Sequence, residues 1–194
     1  MSENFIIKQG ETLAKPFYWY SGTPVTKAIT AITLAYPPVF TAAGHGLPTD
    51  EIPVTLSTIR GPRALNTPAG EAVYALKQST DTFSVPELNA SGLSAYISGG
   101  YLRYVPPKDI TGYTARMHIR AQKNSATAII ELASADGELI IGDATGKVTV
   151  SLTATVTAGL SFDTAYYDLE LIAPGSVVTR IAEGIVTLSK EVTR

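Results

Sequence analysis

The feature that most constrains this chain is a strand pattern that stops at one turn and resumes much later. Residues 5–25 predict two short strands with a glycine-containing turn between them, and the pattern ends at the turn formed by residues 21–24. The polar turn and alternating strand that would continue such a meander begin only at Asp109. The residues between have strand and turn signals of their own. The interruption therefore predicts one β-domain divided by a second, inserted β-domain.

The strand signal is strongest from Tyr113 to Arg120, where apolar and polar residues alternate. A period of two places Ala115, Met117 and Ile119 on a core face, and the arginines and histidine between them on the opposite face. Gly184 predicts a bulge or a close backbone contact in the last strand. The same reasoning predicts strands at Lys147–Leu152, Ala165–Ile172 and Val178–Leu188, and a helical turn at Ala154–Gly159.

The inserted segment is also rich in short strands. Closely spaced strands with turns between them are typical of a small barrel or sandwich. The fold class predicted for the whole chain is all-β, with an immunoglobulin-like β-sandwich built from residues 1–27 and 106–194 and a small β-barrel at residues 28–105. The strands predicted within the insert are Ala28–Leu34, Ile52–Ile59, Ala72–Gln78 and Asp81–Val85.

Composition narrows the classes of function. The 194 residues include no cysteine, which excludes disulfides and thiolate metal sites. The net charge of −2 leaves no basic excess for a nucleic-acid partner. The sequence after Met1 predicts no secretory signal, and no apolar run is long enough to predict a membrane span. The expectation is a protein without cofactor, metal, nucleic acid or membrane span, made and assembled in a cytoplasm.

Two sets of residues, one in the insert and one in the flanks, together cover nearly the whole chain. The residues of the insert are Thr41, Gly44-His45-Gly46-Leu47, Val54-Thr55-Leu56, Gly61, Leu65-Asn66, Tyr74 and Thr82-Phe83. With them the insert resembles the small β-barrel modules of phage tail proteins, which are similar to the FCCH-type fold found in ubiquitin-activating enzymes. The residues of the flanks are 10–12, 20–24, 109–120, 130–132, 136–137, 146–150, 167–171, Gly184 and 191–194. With them the flanking parts resemble an immunoglobulin-like family of phage tail and baseplate proteins.

The resemblance implies a structural virion protein. The expected role is a baseplate, collar or tail-tip subunit that forms a ring-like homo-oligomer around the bacteriophage tail and docks fibres or other tail proteins. The alternative is a module that binds a host-surface glycan or receptor by stacking sugars on tyrosines. The stacking candidates are Tyr18, Tyr20, Tyr96 and Tyr101.

Five residues are candidates for an interface. Tyr18 and Tyr20 alternate with Phe17 and Trp19 in the densest aromatic run, and tyrosine is favoured at interfaces. Tyr18 fits the edge of the sandwich and an aromatic platform equally well, whereas Trp19 fits the core. The other three candidates lie on the outward face of the alternating strand: Arg116, His118 and Arg120.

His45 is the residue that most invites an enzymatic interpretation. A hydrolase would use it with Asp50 or Glu51, but no serine motif or carboxylate pair accompanies it. Gly44, His45 and Gly46 instead predict a structural turn in which the imidazole bonds backbone groups. The chain is therefore expected not to be an enzyme. Two further polar turns, at residues 136–137 and 142–143, lack the ordered oxygen ligands of a calcium loop and predict β-turns.

Overall fold

A computed structural model describes residues 2–192, and most of its regular structure is strand. These residues form fifteen strands, one α-helix of five residues and two 3-10 turns, so the predicted all-β class is confirmed. None of the helices in this range is long and apolar enough to cross a membrane. The strands of the first half are β1 (Phe5–Lys8), β2 (Leu13–Tyr18), β3 (Val25–Ala28), β4 (Ala31–Thr33), β5 (Val39–Thr41), β6 (Ile52–Ser57), β7 (Val73–Lys77), β8 (Thr82–Ser84) and β9 (Tyr101–Tyr104). Those of the second half, with the helix, are β10 (Thr114–Arg120), β11 (Ile130–Ala133), β12 (Leu139–Ile141), β13 (Lys147–Leu152), α1 (Ala154–Ala158), β14 (Thr164–Ile172) and β15 (Val178–Ser189).

The chain divides into two compact units. The first unit contains the residues up to Tyr20 together with those from Pro107 onward, and the second contains Ser21–Pro106. The strand pattern of the sequence predicts that residues 21–27 belong to the first unit. In the structure β3 pairs along its whole length with β9, and this backbone pairing assigns residues 21–27 to the second unit.

The first unit packs two sheets against one apolar core. The larger sheet has the order β1-β15-β14-β10-β11, and the smaller has the order β12-β13-β2. The alternation predicted for β10 holds, because Ala115, Met117 and Ile119 are all buried. β1 and β2 follow each other in the chain but lie in different sheets. β1 runs parallel to β15 and β2 runs antiparallel to β13.

Three aromatic rings join the amino-terminal strands to the core. Phe5, Phe17 and Tyr167 lie with ring centroids 5.0–5.8 Å apart, mostly edge to face. The Tyr167 hydroxyl donates a hydrogen bond to the Glu3 carbonyl. Burial raises the pKa of this phenol, and the negative charges of Glu3 and Glu183 raise it further. The neutral phenol therefore holds the segment before β1 against β14.

The close backbone contact predicted at Gly184 is present, whereas the bulge of the last strand lies at Ile181 and Gly184 itself pairs regularly with Tyr167. β15 has an extra residue opposite the step from Leu169 to Glu170 of β14, which is a β-bulge. A Cβ atom at Gly184 would collide with the backbone carbonyl of Glu3. The parallel approach of the amino-terminal segment to β15 therefore requires a residue without a side chain at this position.

The two ends of the second unit are held close together by backbone pairing. The Lys108 N–H donates to the Trp19 carbonyl over 2.8 Å within the first unit, where Tyr20 also bridges Pro107. Within the second unit, the Ser21 N–H donates to the Pro106 carbonyl over 3.0 Å. The chain therefore leaves and rejoins the first unit through a short antiparallel ladder.

The second unit is built on one strongly curled sheet. Its order is β3-β9-β6-β7-β8-β5-β4, so the strands at its two ends are consecutive in the chain. The sequence predicts a single strand at Ala28–Leu34. The chain instead bends at residues 29–30, where the Ile29 N–H bonds Gly100 and the Thr30 N–H bonds Thr41. The bend lets one run of chain pair with both β9 and β5.

We expect Gly184→Ala to lower the free energy of unfolding by about 1–3 kcal/mol, because the new methyl group must displace the Glu3 backbone. The matched control is Gly159→Ala. Gly159 has helical backbone angles and only ordinary van der Waals neighbours, so alanine there should change stability by less than about 1 kcal/mol. Urea denaturation of both variants measures the difference, and equal effects would show that the close approach at Gly184 is absent.

We expect the first unit to fold without the second. Replacing residues 22–105 with a short Gly/Ser turn joins two ends that are already hydrogen-bonded neighbours, so the first core loses none of its own residues. The shortened protein should unfold in one cooperative transition with the far-ultraviolet spectrum of a β-protein. A soluble product that melts without cooperativity would mean that the two units share their stability.

Candidate functional site

Three of the predicted interface residues meet on the outer face of the larger sheet. Arg116, His118 and Arg120 project from β10 beside side chains of β14 and β15. Together they line a depression of about 400 Å³. The other lining residues are Lys123, Tyr166, Tyr167, Asp168, Glu170, Arg180 and Glu183.

Ion pairs occupy one part of this depression. Arg116 lies directly opposite Glu170, and its guanidinium contacts one carboxylate oxygen at 2.8 Å. Arg180 contacts Glu183 at 3.1 Å and Asp168 at 3.7 Å. Exposed pairs of this kind each contribute about 0–1 kcal/mol to stability. Their main effect is to neutralise the arginines at this end of the depression.

The opposite part of the depression carries positive charge without a carboxylate partner among residues 2–192. Arg120 donates to the carbonyls of Ser125 and Ala126, each over 2.9 Å, and to the His118 ring at 3.2 Å. Because arginine has only donors, His118 Nδ1 must be the acceptor. Lys123 lies 6.0 Å from the centre of the Tyr166 ring. The depression is therefore electrostatically polarised, with Arg120 and Lys123 at its cationic end.

The two predicted interface tyrosines form a separate group. Tyr18 ends β2 in the smaller sheet, and its ring stacks on that of Tyr20 with centroids 5.9 Å apart and planes 8° apart. Both side chains are partly buried. Phe17 is buried, and Trp19 packs edge-on against Tyr113 beside the core. The structure does not bring the tyrosine pair and the β10 residues onto one sheet.

The two other stacking candidates lie in the second unit and differ from each other. The Tyr96 hydroxyl donates to the carbonyls of Ile29 and Gly99, which fixes the ring beside the backbone. Tyr101 lies on β9 with 48% of its surface exposed. Tyr101 is therefore accessible to a ligand, whereas the hydroxyl of Tyr96 is hydrogen-bonded to the surrounding backbone.

His45 is fully buried in the second unit and bonds only backbone groups through its ring. Nδ1 accepts from the Leu47 N–H at 3.0 Å, and Nε2 lies 3.1 Å from the Thr82 carbonyl. These partners select the neutral tautomer with hydrogen on Nε2. The Phe83 ring packs edge-on against the imidazole, and burial raises the pKa of the Tyr104 phenol, which donates to the His45 carbonyl.

The glycines beside His45 have the backbone conformation that the turn requires. Gly44 and Gly46 both have positive φ, 53° and 74°. The Gly44 N–H donates to the Asp81 carboxylate over 2.7 Å. Because both ring nitrogens of His45 are occupied and the side chain is inaccessible to solvent, the imidazole cannot contact a substrate in this conformation.

The polar turns in the first unit differ in geometry. Gly137 has φ of +89° in the turn between β11 and β12. The turn predicted at residues 142–143 is also present, because the Thr145 N–H donates to the Gly142 carbonyl over 3.0 Å, and it continues as the 3-10 turn Asp143–Thr145 capped by Gly146. Asp109 begins another turn, where hydrogen bonds from the Thr111 hydroxyl and N–H lower the pKa of its carboxyl. Across residues 2–192, no cluster of three or more His, Cys, Asp or Glu side chains is arranged to hold a metal ion.

Most of the residues that line the depression are not among the predicted interface residues. Tyr166, Asp168 and Glu170 occupy alternate positions of β14 and share its outward face. The period-two argument that singled out β10 applies equally to this strand and would have found them. Lys123 follows β10 in a turn, and no local pattern relates it to Tyr166.

No model of a known protein family matches the chain, and no curated protein matches it.

We expect His45→Ala to lower the free energy of unfolding by about 1–3 kcal/mol, because it leaves the Leu47 N–H and the Thr82 carbonyl without their partner. His45→Asn should recover part of the loss, since an amide can donate and accept. Thermal melting of both variants measures the effect. An unchanged melting temperature for His45→Ala would show that these hydrogen bonds do not stabilise the turn.

Proposed function

We propose that this protein is a structural component of a bacteriophage tail, a baseplate, collar or tail-tip subunit that assembles with copies of itself and docks other tail proteins or fibres. The observation that carries the proposal is the insertion of one compact β-unit into another at a single turn. The two units correspond to the two parts of the chain that carry the resemblances, the first to immunoglobulin-like tail proteins and the second to FCCH-type barrels. On this proposal the first unit is an immunoglobulin-like sandwich and the second an FCCH-like barrel.

The open edges of the first unit support assembly through strands. β11 ends the larger sheet and β12 ends the smaller one, and only five residues separate them in the chain. Edge strands carry backbone groups that another chain can pair with. On β12, Ile140 is apolar and 54% exposed. A head-to-tail contact at this edge would close into a ring around the tail axis.

The edge strand β2 is less suited to strand pairing. β2 contains Pro16, which has no N–H to donate, and Lys15 next to it forms an ion pair with Glu3. Both features protect an edge against addition of another strand. An edge protected at β2 and open at β12 supports a contact between unlike surfaces of the smaller sheet, and such contacts form rings where the rotation between subunits closes.

The proposal is tested on the intact particle by electron cryo-microscopy. We expect density that fits each unit, repeated with rotational symmetry around the tail axis. Ile140→Lys should reduce incorporation of the protein into particles, because it places a charge in the proposed contact. Val177→Lys is the matched control, since Val177 is 66% exposed in the turn between β14 and β15. A single copy per tail, or none, would overturn the proposal, and equal incorporation of both variants would remove the edge contact from it.

A further inference from the structure

We infer that the depression on the outer face of β10, β14 and β15 binds an acidic saccharide, a sugar that carries a carboxylate or sulfate group. The inference goes beyond the proposed tail role and does not depend on it, because all the contacts come from one face of one chain. It rests on the polarised charge of the depression, on one exposed aromatic ring and on the chemistry of the lining.

The cationic end of the depression provides a binding position for the acidic group of the saccharide. Arg116 and Arg180 are neutralised by their carboxylate partners, whereas Arg120 and Lys123 have none among residues 2–192. Arg120 is already fixed by two backbone carbonyls and His118, so little side-chain freedom is lost when a ligand binds. Its three hydrogen bonds leave further guanidinium N–H groups for an anion.

Tyr166 supplies a surface for the apolar face of a sugar ring. It lies directly opposite Arg120 in the pairing of β10 with β14, and 37% of its surface is exposed. Aromatic side chains combine a large apolar surface with a polar tip, which suits a ligand that has both. A ligand whose acidic group binds between Arg120 and Lys123 would therefore place its sugar ring on the Tyr166 ring.

The rest of the lining favours a saccharide over a peptide or a nucleic acid. Asp168, Glu170 and Glu183 accept hydrogen bonds from hydroxyl groups and would repel a chain of phosphates. Every lining side chain is charged, a histidine or a tyrosine, whereas the centre of a protein interface is depleted in charge. The volume of about 400 Å³ lies within the usual range for small-ligand sites.

Calorimetric titration of the full-length protein tests the inference with two acidic probes that each carry one carboxylate, galacturonate and 3′-sialyllactose. Their neutral counterparts are the methyl esters of the same two saccharides, which keep the sugar and remove only the charge. We expect at least one acidic probe to bind, and its neutral counterpart to bind at least about tenfold more weakly, because the Coulomb attraction is lost. Raising the salt concentration should lower the affinity for the acidic probe, since the charged side chains of the depression are partly exposed and salt screens them.

Substitutions at Lys123 locate the binding. Lys123 is exposed, and its ammonium group lies over the Tyr166 ring. Replacing it should therefore leave the fold intact. Lys123→Ala should lower the affinity for the acidic probe by about three- to tenfold, and Lys123→Glu should lower it further. The matched control is Lys27→Glu on β3 of the second unit, which should leave the affinity unchanged.

Four results would overturn the inference. They are no binding of either acidic probe at concentrations up to about 10 mM, equal binding of the neutral counterparts, no effect of Lys123→Glu, and tighter binding of hexaglutamate than of both sugars. The last result would identify the depression as a surface for an acidic peptide.

Discussion

The backbone pairing of Trp19 with Lys108 is the constraint on which the two-unit arrangement depends. Trp19 uses both of its backbone groups, since its N–H donates to Gly146 and its carbonyl accepts from Lys108, each over 2.8 Å. The Gly146 backbone packs so closely against both residues that a Cβ atom there would lie 2.7 Å from the Trp19 carbonyl oxygen. Gly146 also has φ of +62°, which a glycine adopts without strain.

This pairing explains how a long segment can interrupt the first unit. The two ends of the segment are neighbours in a ladder. The stability of the first unit therefore depends on the short distance between those ends and hardly on the number of residues between them. The entropy of closing a loop rises only slowly with its length. A segment that folds on its own sheet also removes most of that cost. Insertion at this turn is therefore compatible with an intact first core.

The bulge in β15 relates the fold to the candidate site. Residues 180 and 183 are separated by an odd number of positions, so a regular strand would place them on opposite faces. The extra residue opposite the step from Leu169 to Glu170 brings Arg180 and Glu183 to the same face, where they form an ion pair. Arg180 then lies opposite Glu170 and within reach of Asp168. One backbone irregularity thus produces the neutral end of the depression and leaves the positive charge at Arg120 and Lys123.

Local patterns predicted most of the strands but not their partners. β13 has the predicted bounds, and the buried residues of β10 and β14 follow the period of two, because each strand must place one face against the core. The single strand predicted at Ala28–Leu34 is wrong, because pairing with two different neighbours bends the chain there. The geometry around His45 shows the same limit. Two glycines indicate a turn, but the Thr82 carbonyl that bonds the ring comes from a distant strand.

The sequence by itself determined the all-β class, the outward face of β10 and the place where the strand pattern is interrupted, because periodicity and turn chemistry are local properties of the chain. Only the tertiary structure decided that β1 joins β15 in parallel while β2 joins the other sheet, and that residues 21–27 belong to the second unit. It also decided which charges on the larger sheet are neutralised. Pairing, register and bulges join residues that are far apart in sequence, and their free energy depends on the whole core rather than on any one strand.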